Sequence, residues 1–137
     1  MGTIQNLDIS PLALVVDDDP VIRMIMSEML DDLGFEVAEA DSVAAALAYL
    51  EGNGERVSFL LTDVQMPGSR NGMTLANHVT FVWPHIRILV TSGVSRPLPG
   101  QLPGRAQFMS KPVTSAALDA YVSRFSADML PSRAPLT

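Results

Sequence analysis

Two rhythms of apolar residues alternate along this chain. Leu12 to Val16 and Val57 to Leu61 are almost continuously apolar, the pattern of strands buried on both faces, and Ile86 to Val90 behind Pro84 predicts a third. Between them, apolar residues recur at helical spacing. Val21, Ile22, Ile25, Met26, Met29, Leu30 and Leu33 predict a first helix, with Asp19 as its N-cap, Pro20 in its first turn and Gly34 past its end. Phe35 to Ala40 alternates apolar and acidic residues, as suits an edge strand. Ser42 then caps an alanine-rich helix to Leu50, stopped by Gly52, Asn53 and Gly54. Met73 to Val82 is helical in spacing. After Ser92 the rhythm breaks, because Pro97, Pro99, Gly100, Pro103 and Gly104 leave room for at most one helical turn. Ala106 to Met109 predicts a short final strand, and Ala116 to Phe125 a final helix with Leu118, Tyr121, Val122 and Phe125 on one face.

Strands and helices alternating at these lengths imply an α/β fold: an open, doubly wound parallel sheet covered on both sides by right-handed crossovers. In such a sheet the ligand crevice lies at the carboxyl ends of the strands, where the winding reverses. Two buried strands end on acid there, the first in Asp17-Asp18-Asp19 and the second, through Thr62, in Asp63. Charge beside a core is costly unless it is paired or holds a metal. These aspartates are therefore the candidate site.

Composition narrows the function. A chain of 137 residues fits one domain, and a net charge of −6 argues against nucleic acid or an anionic membrane as partner. An anionic ligand then requires a metal or a local lysine. The absence of cysteine removes disulfides, thiolate chemistry and cysteine zinc sites. His78 and His85 make no metal cluster, and the expectation for both is surface or loop. With no leader pattern and no run long enough to span a bilayer, the expected location is the cytoplasm. Three parts are expected: an N-terminal extension over 1–10, a domain over 11–127 and a disordered tail over 128–137.

Four blocks, in order, resemble the signatures of receiver domains in bacterial two-component response regulators: VVDDDP at Val15 to Pro20, LLTDVQMPG at Leu60 to Gly68, ILVTSG at Ile88 to Gly93 and FMSKPV at Phe108 to Val113. The resemblance implies the flavodoxin-like fold, a five-stranded sheet in order 2-1-3-4-5. Here the helix between the fourth and fifth strands is short or degenerate. It also implies that Asp63 accepts a phosphoryl group from a sensor histidine kinase or a histidine phosphotransfer protein. Mg²⁺ is the implied cofactor, held directly by Asp18 and Asp63, through water by Asp17, and by the backbone carbonyl of Gln65. Lys111 supplies the remaining positive charge. The hydroxyl that reads the phosphoryl group is Thr91 or Ser92, and the small Gly93 after Ser92 favours Ser92. Phe108 stands at the aromatic switch position, and the peptide before Pro112 is cis in the family. Gln65 and Val94 flank the pocket and tune hydrolysis.

Departures from the family pattern are local. The loop Ser69-Arg70-Asn71 is one residue longer than the commonest version, and Asn71 stands where aspartate is frequent. The weak helix after Ser92 argues against dimerisation through that face, so the expectation is a monomer or weak dimer, with the methionine-rich first helix as another possible contact face. At this length there is no room for an output domain, so the expectation is a stand-alone receiver with a possible downstream protein target. Two other readings compete. Asp17-Asp18-Asp19-Pro20-Val21 fits the D-x-D-x-[TV] block of haloacid-dehalogenase-like phosphohydrolases, with Asp17 as nucleophile, though no acidic pair follows Lys111. A receiver fold that binds without switching is the other. Asp19 has a simpler role open to it, as a helix cap.

Overall fold

The computed structural model describes residues 10–66, 71–93, 102, 104 and 106–129, with 125–129 described by their backbone alone. Its elements run β1 (Leu12–Val16), α1 (Pro20–Asp32), β2 (Glu36–Ala40), α2 (Val43–Asn53), β3 (Val57–Asp63), α3 (Gly72–Val82), β4 (Arg87–Ser92), β5 (Gln107–Ser110) and α4 (Ser115–Met129). All strands are parallel, in the order β2-β1-β3-β4-β5. This is the doubly wound sheet that the alternating pattern implies, with the switch of winding between β1 and β3.

Alternation along each strand divides the core. Leu12, Leu14, Val16, Leu60, Ile88 and Val90 face α2 and α3 and pack with Ala46, Leu50, Leu75 and Val79. Ala13, Val15, Phe59, Leu61 and Leu89 face α1 and α4 and pack with Met26, Leu30 and Leu118. On that second side Phe59 lies between Phe35 and Tyr121, with ring centroids 5.7 and 5.6 Å away. Both faces of the central strands are therefore dry, which is why they read as unbroken apolar runs. Among the described residues β2 pairs only with β1, and its charged Glu36 and Glu39 are exposed, as an edge position allows.

Local signals mark the helix ends. Asp19 accepts from the backbone N–H groups of Val21 and Ile22, Pro20 opens α1, and Gly34 takes a φ of +100° after its last turn. Several bounds differ from those expected. α2 continues through Gly52 to Asn53, because Gly54 keeps helical angles and its N–H still reaches the Leu50 carbonyl. β3 and β4 each extend to the polar residues Asp63 and Ser92, since parallel pairing continues past the apolar runs. α4 runs from Ser115 to Met129, past the expected span of Ala116 to Phe125. On α1, Val21 and Ile25 share the helical spacing of the core residues yet are 57% and 42% exposed, beside the exposed Met24. Only Met26 and Leu30 are fully buried there, because one sheet face covers a narrow stripe of the helix.

Pro97, Pro99, Gly100 and Pro103, Val94, the turn Pro67-Gly68, Ser69 and Arg70, the N-terminal extension up to residue 9, the tail from Pro131 to Thr137 and the Phe125 side chain lie outside the described residues. His78 and His85 are exposed, His78 near the Trp83 ring and His85 against the Gly54 carbonyl.

Candidate functional site

The sheet order places the ends of β1 and β3 side by side, with Val16 in register with Thr62. The residues that follow, Asp17 and Asp63, therefore emerge next to each other at the switch of winding. Asp17 is 1% exposed and Asp63 5%, whereas Asp18 is open to solvent. One carboxylate oxygen from each of the three lies within 4.8 Å of the others. Asp19 has turned away: it caps α1, and its own N–H donates to Asp17 Oδ1 at 2.9 Å.

Lys111, just past β5, reaches back across the sheet ends. Its Nζ donates to Asp17 Oδ2 at 3.0 Å and lies 3.3 Å from Asp63 Oδ1. Its backbone is anchored by an N–H bond to the Ser92 carbonyl at 3.0 Å, and the Lys111–Pro112 peptide is cis. Burial pushes the Asp63 carboxyl above its ordinary range. Lys111 opposes this, the like charge of Asp17 adds to it, and a backbone bond from Gln65 opposes it again. For Lys111, burial favours the neutral amine, but the hydrogen bond and charge of Asp17, reinforced by Asp63, outweigh it and hold the ammonium above its usual range. One ammonium thus serves several carboxylates. The pocket has spare negative charge built from hard oxygen donors, a set that fits Mg²⁺.

The backbone around Asp63 is tightly backed. Val64 N–H bonds to the Thr91 carbonyl, and Gly72 N–H to the Val64 carbonyl. A Cβ at Gly72 would collide with the Asp63 carbonyl, so only glycine lets α3 begin this close. Asn71 caps α3 in a reciprocal box with Thr74. Ser92 is 2% exposed at the end of β4. Thr91, fully buried, turns its hydroxyl toward the Thr62 carbonyl at 3.4 Å. Phe108 is partly buried against the α2 and α3 side of the core. Gln65 is exposed, two residues beyond Asp63.

With this geometry established, comparison with known proteins is decisive for the family. The sequence matches the response regulator receiver domain over residues 13–123. The chain belongs to that family. The receiver is 32% identical over 121 residues to the response regulator protein FleR of Pseudomonas aeruginosa, covering 86% of this chain and 25% of that protein. Among solved structures, chemotaxis protein CheY4 of Vibrio cholerae superposes with a TM-score of 0.74 at 27% identity, covering 84% of this chain and 98% of that one. A receiver protein from Sinorhizobium medicae gives 0.74 at 25% identity, covering 87% and 97%. The chain spans 16% to 34% of the length of the first curated relatives it matches. Family membership decides against the haloacid-dehalogenase-like reading. No helix of the receiver, among its described residues, is long and apolar enough to cross a membrane.

Reading the sequence missed three residues that shape this site. Asn71-Gly72-Met73-Thr74 is a capping pattern ahead of an apolar helix, and it was legible. The need for glycine at Gly72 was not, because the atom it would strike belongs to Asp63 in another element. The third is Arg23, whose side chain donates to the Asp17 carbonyl.

Proposed function

We propose that this receiver takes a phosphoryl group onto Asp63 from a phosphohistidine on a sensor kinase or phosphotransfer protein, and changes surface in response. The convergence of Asp17, Asp18 and Asp63 with Lys111 carries the reading. An Asp63 carboxylate oxygen attacks phosphorus, the new O–P bond forms as the P–N bond breaks, and the bonding pair leaves with the donor imidazole. A Mg²⁺ ion would neutralise the phosphoryl oxygens. Asp18 and Asp63 would hold it directly and Asp17 through water, a division supported by Asp17, whose two oxygens already accept from Asp19 N–H and Lys111 Nζ. The Gln65 carbonyl completes the protein's share. Lys111 stabilises the transferring group, and such transfer depends chiefly on positioning and electrostatics.

Thr91 or Ser92 supplies the hydroxyl that reads the phosphoryl group: Thr91 lies in register with Asp63 across β3 and β4, and Ser92 ends β4 beside it. Phe108 follows that hydroxyl, shifting a pre-existing equilibrium. The partner meets an apolar groove lined by Ile22, Ile25, Met26, Lys111, Pro112 and Val113. It begins at the phosphoryl-binding lysine and continues onto the exposed face of α1, a place for the donor's helix. Incubation with acetyl phosphate and Mg²⁺ tests the core of this reading: intact mass should rise by one phosphoryl group in the wild type and not in Asp63→Asn. Labelling that survives in the variant rejects Asp63. Beryllofluoride should move the amide resonances of Ser92 and Phe108; silence there would favour a binding module that does not switch.

A further inference from the structure

The residue that organises the acidic turn lies outside the pocket. We propose that Arg23 is a positioning residue for the cation site, a clamp on both ends of the turn Asp17-Asp18-Asp19; this rests on the reading of that pocket as a Mg²⁺ site. Its backbone N–H donates to the Asp19 carbonyl at 2.9 Å, which begins α1. Its side chain then folds back, and Nη1 donates to the Asp17 carbonyl at 2.7 Å. That carbonyl belongs to the peptide joining Asp17 to Asp18. Holding its plane sets ψ of Asp17 and φ of Asp18, and hence the direction in which the Asp18 carboxylate leaves the chain. Asp18 needs this support, because among the described residues its carboxylate makes no hydrogen bond or ion pair of its own.

Glu39 on β2 completes the device. It accepts from Arg23 Nε at 3.0 Å, so the planar fork is held at two points, and the Arg23 side chain is only 19% exposed. The pairing matters for sign. A bare cation near the pocket would repel Mg²⁺, whereas one neutralised by Glu39 leaves its hydrogen bond to act as a brace. Groups that orient metal ligands typically cost 10- to 100-fold in affinity when removed. The competing role for Arg23 is to seal α1 onto β2, which affects stability alone.

Mg²⁺ binding by the folded protein, measured by calorimetry on the full chain, separates these roles. Arg23→Met should weaken Mg²⁺ binding by about 10-fold. Arg23→Lys, which keeps the charge but loses the two-point fork, should fall between. The amide resonance of Asp18 should move in both variants before any metal is added. A folded variant with unchanged affinity, or with tighter binding from relief of repulsion, overturns the proposal. If Arg23→Met does not fold, Arg23→Lys decides by the same criterion. Wild type that fails to bind Mg²⁺ rejects the cation-site reading itself, and the clamp with it.

Discussion

Asp63 carries two opposed demands. As the last residue of β3 it is buried enough that its carboxyl is pushed above the ordinary range, yet the proposed transfer requires an anionic nucleophile. The raised value has a consequence for stability. Between the ordinary and the raised range the native state holds more protons than the unfolded chain, so without metal the folded protein loses stability as pH rises through that window. Asp63→Asn removes this charge. In EDTA the variant should therefore melt above the wild type at neutral pH, with the gap closing in acid, as thermal melts across pH will show. Equal melting at neutral pH would mean Lys111 already balances the pocket. The acids at the strand ends were visible in the sequence because an apolar run stopping on aspartate is a local pattern. The contact of Lys111 with Asp17 was not, since it spans 94 positions.

At the level of elements, the caps show how local chemistry supports a distant site. Asn71 accepts from Met73 and Thr74 N–H and so starts α3 beside the Asp63 backbone. Asn71→Ala should cost about 1 kcal/mol in chemical denaturation. Preserved stability would show that other groups satisfy those donors. α1 has the opposite character, because Val21, Met24 and Ile25 leave much of their apolar surface exposed. Ile25→Glu should slow transfer from a phosphohistidine donor while leaving acetyl phosphate labelling intact, since the small donor needs no docking face. Equal loss with both donors would place the defect in the pocket instead. Helix spacing located α1 correctly but could not tell which apolar positions the sheet would cover. Coverage depends on the angle at which α1 lies on β1 and β2.

For the whole molecule, metal binding and folding should be linked. A ligand that binds only the native state adds about 2.7 kcal/mol at a concentration 100 times its dissociation constant. Melting temperature should thus climb with Mg²⁺ in the wild type, and Asp18→Asn should blunt the rise. A rise of equal size in that variant would put the ion elsewhere. Element types, and their bounds to within a few residues, were legible in the chain, because hydrophobic period, caps and turn residues act within a few positions of one another. The family resemblance, too, rested on short blocks. That resemblance implied the strand order that sets β1 beside β3; what only the tertiary structure decided is the contact geometry: the distances from Lys111 to Asp17 and Asp63, the space that only Gly72 leaves for the Asp63 backbone, and the bridge from Glu39 through Arg23 to the Asp17 carbonyl. Those relations are set by packing helices on a twisted sheet, and no local pattern encodes the distance between residues that the sheet brings together.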